Sequence, residues 1–236
     1  MRRAVYARPM RFLAASLLPC PLCDRAASGR LGACPACLAT LAAPPGRALL
    51  DGVEVVWLGP YEGPWLRAVR AVKFGGRRSL ARVLGRRLGL QARRAGWPVG
   101  RVVAVPLHRR RRIRRGYDQA WLLAAAAAAE LGAKAWPGLR RIRPTARQAR
   151  GDATARRANV AGAFACRRLP PVPVLLVDDV WTTGATARAC RDALLRAGAR
   201  DVRVAVVARA GRDAVGQPLS TTAVSAPSKP PVRTWG

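Results

Sequence analysis

Apolar residues in this chain gather into short continuous runs separated by longer stretches of helical period. Residues 53–58, 101–105, 172–177 and 202–208 are the runs. Each has the length of a strand and is apolar on both alternating faces, the pattern of a strand buried on two sides. Between them, Trp65, Leu66, Val69 and Val72 recur at helical spacing until Gly75-Gly76. A second helix is predicted over 80–92, with Leu80, Val83, Leu84 and Leu88 on one stripe. Residues 121–131 form an alanine-rich helix, and 186–197 a last one closed by Gly198. Strands alternating with helices predict an α/β fold, a mostly parallel sheet flanked by helices. Ligands of such sheets sit at the carboxyl ends of the strands.

The pattern also divides the chain. Residues 1–18 are an N-terminal segment, and 19–43 hold four cysteines in a small module. Residues 44–52 (PPGRALLDG) read as a linker, 53–213 as the main domain, and 214–236 as a disordered tail rich in Pro, Ser and Thr. Residues 139–160 are polar and arginine-rich and read as a long mobile loop. There is no run of eighteen apolar residues, so no membrane span is expected. The apolar stretch 12–18 is short for an export signal and runs into Pro19-Cys20, which points to a cytoplasmic protein.

Charge adds a partner class. The 236 residues carry 43 Lys and Arg against 12 Asp and Glu, a formal net charge of +31. Only Lys73, Lys134 and Lys229 are lysine. Such a field attracts polyanions, nucleic acid above all, although GC-rich codon usage also enriches Arg, Ala and Gly. Trp65, Trp97, Trp121 and Trp136 are either core residues or stacking groups for single-stranded DNA.

The cysteines add a metal. Cys20-x2-Cys23 and Cys34-x2-Cys37 are separated by ten residues, a spacing that lets four thiolates converge on one Zn²⁺ ion. Disulfides would need an oxidising compartment. A redox pair normally uses one C-x2-C, and the symmetric spacing favours zinc over an iron–sulfur cluster. With four cysteine ligands the site is closed, hence structural. Cys190 falls on a helix as a core residue.

The stretch VLLVDDVWTTGAT, residues 174–186, carries the chemistry. Asp178 and Asp179 follow a buried run in a chain poor in acids, and alternation points them to different faces. Thr182, Thr183, Gly184, Ala185 and Thr186 then turn into a helix, whose free amides and positive dipole end cradle a phosphate. Ionised carboxylates accept hydrogen bonds, as the hydroxyls of a ribose require. Phosphate on one side and a diol on the other describe a ribose 5-phosphate. A capped helix after a buried strand would account for the threonines but not for the acid pair.

Five elements occur in order: the paired C-x2-C, VKFGG (72–76), VAVPLHRRRRIRRGYDQA (103–120), RIRPTARQ…RRANVAGAF (141–164) and DDVWTTGAT (178–186). Together they resemble ComF family proteins, the ComFC/GntX group, over residues 18–210. The resemblance implies a zinc knuckle joined to a type I phosphoribosyltransferase-like domain. It implies a ligand, phosphoribosyl pyrophosphate (PRPP) with Mg²⁺, and for some members a part in natural competence and DNA uptake beside a competence helicase or other DNA-processing partner.

Carried to this chain, Asp178 and Asp179 would hold the ribose hydroxyls and Thr182–Thr186 the 5-phosphate. Pro106, Leu107, His108 and Arg109 would form the pyrophosphate loop, with Arg115 in the following basic run. Arg143 and Arg156 would belong to a lid that neutralises departing pyrophosphate, together with Thr145, Gln148 and Asn159. His108 either contacts phosphate or packs, or serves as an acid or base. The run 109–115 is equally readable as a solvated basic face. Tyr117 and Asp118 stand where Phe and Asn are usual, and the role of Asp118 is open. The resemblance leaves open a phosphoribosyltransferase with an unknown acceptor, linked to DNA uptake or to nucleotide metabolism, and a non-catalytic DNA-binding protein of the competence machinery.

Overall fold

The computed structural model describes residues 19–25, 31–41, 44–107, 116–143 and 162–211. Its centre is a six-stranded sheet. The strands are β1 Gly46–Leu50, β2 Val53–Pro60, β3 Arg101–Ala104, β4 Lys134–Ala135, β7 Pro173–Trp181 and β8 Asp201–Arg209, in the spatial order β1-β2-β8-β7-β3-β4. All neighbours run parallel except the β1–β2 pair. Two further strands, β5 Leu139–Arg141 and β6 Phe164–Cys166, form an antiparallel pair of their own.

Helices cover both faces, as the double-sided apolar runs require. On one face lie α2 Gly63–Phe74, α3 Arg78–Arg94 and α4 Gln119–Leu131, with the cysteine module and its short α1 Pro35–Ala39 packed outside them. On the other lie α5 Ala185–Arg196 and the β5–β6 pair. β7 shows the division: Leu175 and Val177 join the first core, Val174 and Leu176 the second, and all four are buried. α3 and α4 approach closely because Gly85 and Gly89 face the neighbour. A Cβ there would sit 2.4 Å from the Leu123 carbonyl oxygen and 2.8 Å from that of Ala127.

Three local expectations change. Residues 44–52 contain β1, paired along its length with β2, because the two-residue turn Asp51-Gly52 in left-handed conformation makes a hairpin. The stretch 139–160 starts with β5, not loop, because Leu139 and Phe164 bury themselves beneath α5. β7 continues past Val177 through both aspartates to Trp181, since β8 is long enough to pair as far as Arg209. Trp65 and Trp97 are core residues, 3% and 6% exposed, and are not available for stacking. Cys190 is fully buried, as its helical position implied, and burial pushes its thiol well above the ordinary range. Among the described residues no helix is long and apolar enough to cross a membrane.

Candidate functional site

After β3 the chain moves outward through α4 to β4, and after β7 it moves the opposite way through α5 to β8. The carboxyl ends of β3 and β7 therefore flank a topological switch point, where parallel sheets place ligands. The two strands stay paired to their ends: the Val105 N–H donates to the Val177 carbonyl at 2.9 Å. Pro106 and Leu107 leave β3 beside the start of the acid pair.

The two aspartates part company here, as strand alternation dictates. Asp178 turns to the α5 face and lines an open crevice. Thr182, Thr183, Gly184, Ala185 and Thr186 line the same crevice, with Trp181 and Val206 as its apolar walls. Gly184 caps α5 in left-handed conformation, φ 69°, with no side-chain cap, so the first amides of the helix have no partner of their own in the helix. No acid lies in the first turn of α5. Arg188 donates to the Thr183 carbonyl at 2.7 Å and pairs with Asp51, which fixes the loop from below. Phosphate-sized anions suit such a loop.

A Cβ on Gly184 would lie 2.2 Å from the Trp181 ring. Gly184→Ala should therefore lose about 1–2 kcal/mol to the left-handed backbone alone, with the ring clash in addition. The measurement is a thermal melt, and an unchanged midpoint would contradict the loop geometry.

Asp178 is half-buried and its Oδ1 accepts the Asp179 N–H at 2.8 Å. Burial, with the neighbouring Asp179 carboxylate, pushes its carboxyl up to about 8 despite the opposing Lys73 ammonium. A raised carboxyl favours the fold fully below its unfolded value near 4, and that contribution is lost as pH climbs towards 8. Asp178→Asn should thus melt higher than the wild type above pH 8, with the gap closing in acid. A gap that widens in acid would reverse the sign.

Asp179 points to the other face and is 6% exposed. Its Oδ1 meets the Lys73 ammonium at 2.8 Å, and its Oδ2 accepts from the Gln119 amide at 3.0 Å. Burial works to lower the Lys73 ammonium, but the Asp179 charge outweighs it and the net shift is upward. The Tyr117 hydroxyl donates to the Val72 carbonyl, and the Arg78 guanidinium lies 5.4 Å over its ring. Asp118, whose role the sequence left open, is the N-cap of α4 and accepts from the Trp121 N–H at 3.1 Å. Lys73, Tyr117, Asp118 and Gln119 were missed as a working set. The hints were a lysine where the neighbouring cations are all arginine and an aspartate just ahead of an apolar helical run.

The structure thus brings together Asp178 and Thr182–Thr186, with Pro106 and Leu107 at the adjoining strand end. Arg143 is exposed beyond the end of β5 and does not line the crevice. His108, Arg109, Arg115 and Arg156 lie outside the described residues.

A second site gathers Cys20, Cys23, Cys34 and Cys37, whose sulfurs all lie within 4.8 Å of one another. Cys23 and Cys34 are 3.9 Å apart, close to the edge of about 3.8 Å that a tetrahedron with Zn–S bonds of 2.3 Å would have. The Cys34 N–H donates to the Cys20 sulfur at 3.3 Å. Burial would raise Cys20, but amides of Cys34, Leu22 and Cys23 prevail and bring it down to about 7. Cys37 is pushed up to about 12 by burial and by the sulfurs around it. The donor set fits a soft, tetrahedral metal ion.

The DNA utilization protein YhgH of Salmonella typhi is 37% identical over 201 residues, spanning 78% of this chain and 87% of its own length. The competence protein F of Haemophilus influenzae is 32% identical over 168 residues, 66% of this chain and 73% of that protein. The chain belongs to the ComF family. YhgH of Escherichia coli K12 is 34% identical over 201 residues. No family model matches the sequence. Among solved structures, an allosteric regulatory enzyme of purine biosynthesis overlaps 55% of this ComF chain and 26% of its own, at 24% identity and a TM-score of 0.39. The glutamine PRPP amidotransferase of B. subtilis overlaps to the same extent, at 22% identity and a TM-score of 0.38. The overlap is partial.

Proposed function

We propose that this ComF-family protein binds PRPP, or a related ribose 5-phosphate, with Mg²⁺ in the crevice at the end of β7, and works in DNA utilisation. The observation that carries this reading is the single crevice uniting the Asp178 carboxylate with the amides and hydroxyls of Thr182–Thr186. The 5-phosphate occupies the loop, and Asp178 hydrogen-bonds to the ribose hydroxyls, as an acceptor once its raised carboxyl has ionised. Pro106, Leu107, His108, Arg109 and Arg115 serve the pyrophosphate side, and the charges of Arg143 and Arg156 neutralise pyrophosphate as it departs. Mg²⁺ is held mainly by phosphate oxygens, because few carboxylates are at hand. Zn²⁺ occupies the four-cysteine cluster as a structural ion.

The names of the relatives, DNA utilization protein and competence protein F, support the DNA half. So does the outer face of α3. Arg78, Arg82, Arg86 and Arg93 are exposed there, within about 80° of one another around the helix. Phe74, 63% exposed, stands at the turn before them. Single-stranded DNA fits a basic track with an aromatic at its end, and a competence helicase is the natural partner in delivering it.

The test is calorimetric titration of the purified protein with PRPP and Mg²⁺, followed by gel shifts with single-stranded DNA at several salt concentrations. Saturable PRPP binding, and DNA retardation that fades steeply with salt, are expected. Titrations without heat would end the phosphoribosyl reading. Free DNA at low salt would end the DNA reading.

A further inference from the structure

We infer that two copies of this chain join through β1, pairing edge to edge and antiparallel about a twofold axis at Ala48. The two six-stranded sheets then run on as one.

The two edges of the sheet are built differently. β4 is two residues long, carries the exposed Lys134 and is followed at once by Trp136-Pro137, features that blunt an edge. β1 pairs with β2 along all five residues, and among the described residues no strand lies on its outer side. Its one charge, Arg47, is drawn aside onto Glu54, the Trp97 ring and the Ala95 carbonyl. Leu49 stands there 70% exposed, the most exposed large apolar side chain among the described residues.

The hairpin register shows which backbone groups are free. The two-residue turn Asp51-Gly52 closes on the Leu50–Val53 pair, so the hydrogen-bonded pairs are Leu50–Val53, Ala48–Val55 and Gly46–Trp57. The N–H and C=O groups of Arg47 and Leu49 therefore point away from β2. Pro45, the next outward position, has no N–H to give. The free stretch is thus centred on Ala48, and a copy turned about Ala48 matches it. Arg47 faces the copy's Leu49, Leu49 faces the copy's Arg47, and each pair exchanges both of its backbone hydrogen bonds. Leu49 then lies along the aliphatic stem of the copy's Arg47.

Charge selects the partner. A net charge of +31 sets up a field that repels a second copy. At this edge the charges cancel: Asp51 pairs with Arg188, and Glu54 and Asp201 pair with Arg47 and Arg203. Two such cationic chains approach here at least cost, whereas an acidic or basic peptide finds these charges already matched. A single short strand is a small contact, so the pair is reversible, with a dissociation constant on the order of micromolar.

The experiment is sedimentation equilibrium of the full chain from about 1 to 100 μM, with Leu49→Pro and Leu49→Lys alongside. The wild type should pass from one chain mass to two across that range. Leu49→Pro removes an outward N–H that β2 does not use, and Leu49→Lys charges the edge while keeping the backbone intact. Both should raise the dissociation constant roughly 10-fold or more and keep the melting midpoint of the monomer. Ala48→Cys reads the geometry. Facing residues of such a non-hydrogen-bonded pair have Cα atoms about 4.5 Å apart, within disulfide reach. Oxidation by glutathione disulfide should link Ala48→Cys to its copy beyond the wild-type level, and should not link Ala48→Cys/Leu49→Pro.

A wild type that stays monomeric overturns the inference, and slow hydrogen exchange at the Arg47 and Leu49 amides of that monomer would show that the chain covers its own edge. A dimer that survives both Leu49 variants, or that leaves Ala48→Cys unlinked, overturns it as well.

Discussion

Stripping the metal from the four-cysteine cluster should lower the melting midpoint by roughly 10 °C or more, because binding free energy at such sites is folding free energy. The effect should reach beyond the knuckle. Cys20, Leu22, Cys34 and Leu41 belong to the same core as Leu80, Leu84 and Leu88 of α3. The backbone of Gly32 is pressed against Leu80, where a Cβ would come within 2.6 Å of the Leu80 nitrogen. Arg77 donates to the Pro19 carbonyl at 2.8 Å, and Arg87 to the Leu41 carbonyl at 2.9 Å. Losing the metal therefore uncovers one side of α3.

Metal uptake should also release protons, since a thiol raised to about 12 at Cys37 must give up its proton to become a ligand. Affinity should then weaken as pH falls. The measurement is a thermal melt with and without chelator, with protein-bound zinc assayed in parallel. A protein that binds no zinc, or whose melt ignores the chelator, would contradict the structural role.

Lys73→Met should cost about 3–5 kcal/mol, the usual penalty for breaking a buried ion pair from one side. The Asp179 carboxylate would be left with only the Gln119 amide in a site 8% exposed. Lys73 is also the contact that ties α2 to the end of β7, so the loss should appear in global unfolding by urea rather than as local fraying. Asp179→Leu added to Lys73→Met should recover much of the stability, because no charge is then left buried. A single variant as stable as the wild type would mean that the pair is loose in solution.

These two effects differ in how far the sequence announced them. The cysteine spacing states its chemistry locally: two C-x2-C turns can be read without knowing what surrounds them. The same holds for the buried runs that became β2, β3, β7 and β8, and for Thr182–Thr186, where the order strand, acid, turn, helix already fixes where amides point. Lys73 is different. Its partner is Asp179, and Gln119 and Asp179 are 60 residues apart in sequence. Only the folded sheet decides which of two adjacent aspartates faces which helix layer.

β1 and β5 escaped for a related reason. Their residues, GRALL and LRR, are too short and too broken by arginine to read as buried runs, and become strands because β2 and β6 offer edges to pair with. Asp118 could have been read, since an aspartate just before an apolar helical run is a common N-cap.

The most direct measurement is a crystal structure of the protein soaked with ribose 5-phosphate and Mg²⁺. The phosphate should lie against the amides of Gly184, Ala185 and Thr186, with a ribose hydroxyl within hydrogen-bonding distance of Asp178 and with Asp179 still bound to Lys73. Density for the sugar elsewhere, or a crevice closed over by its own threonines and Trp181 at saturating ligand, would contradict the account.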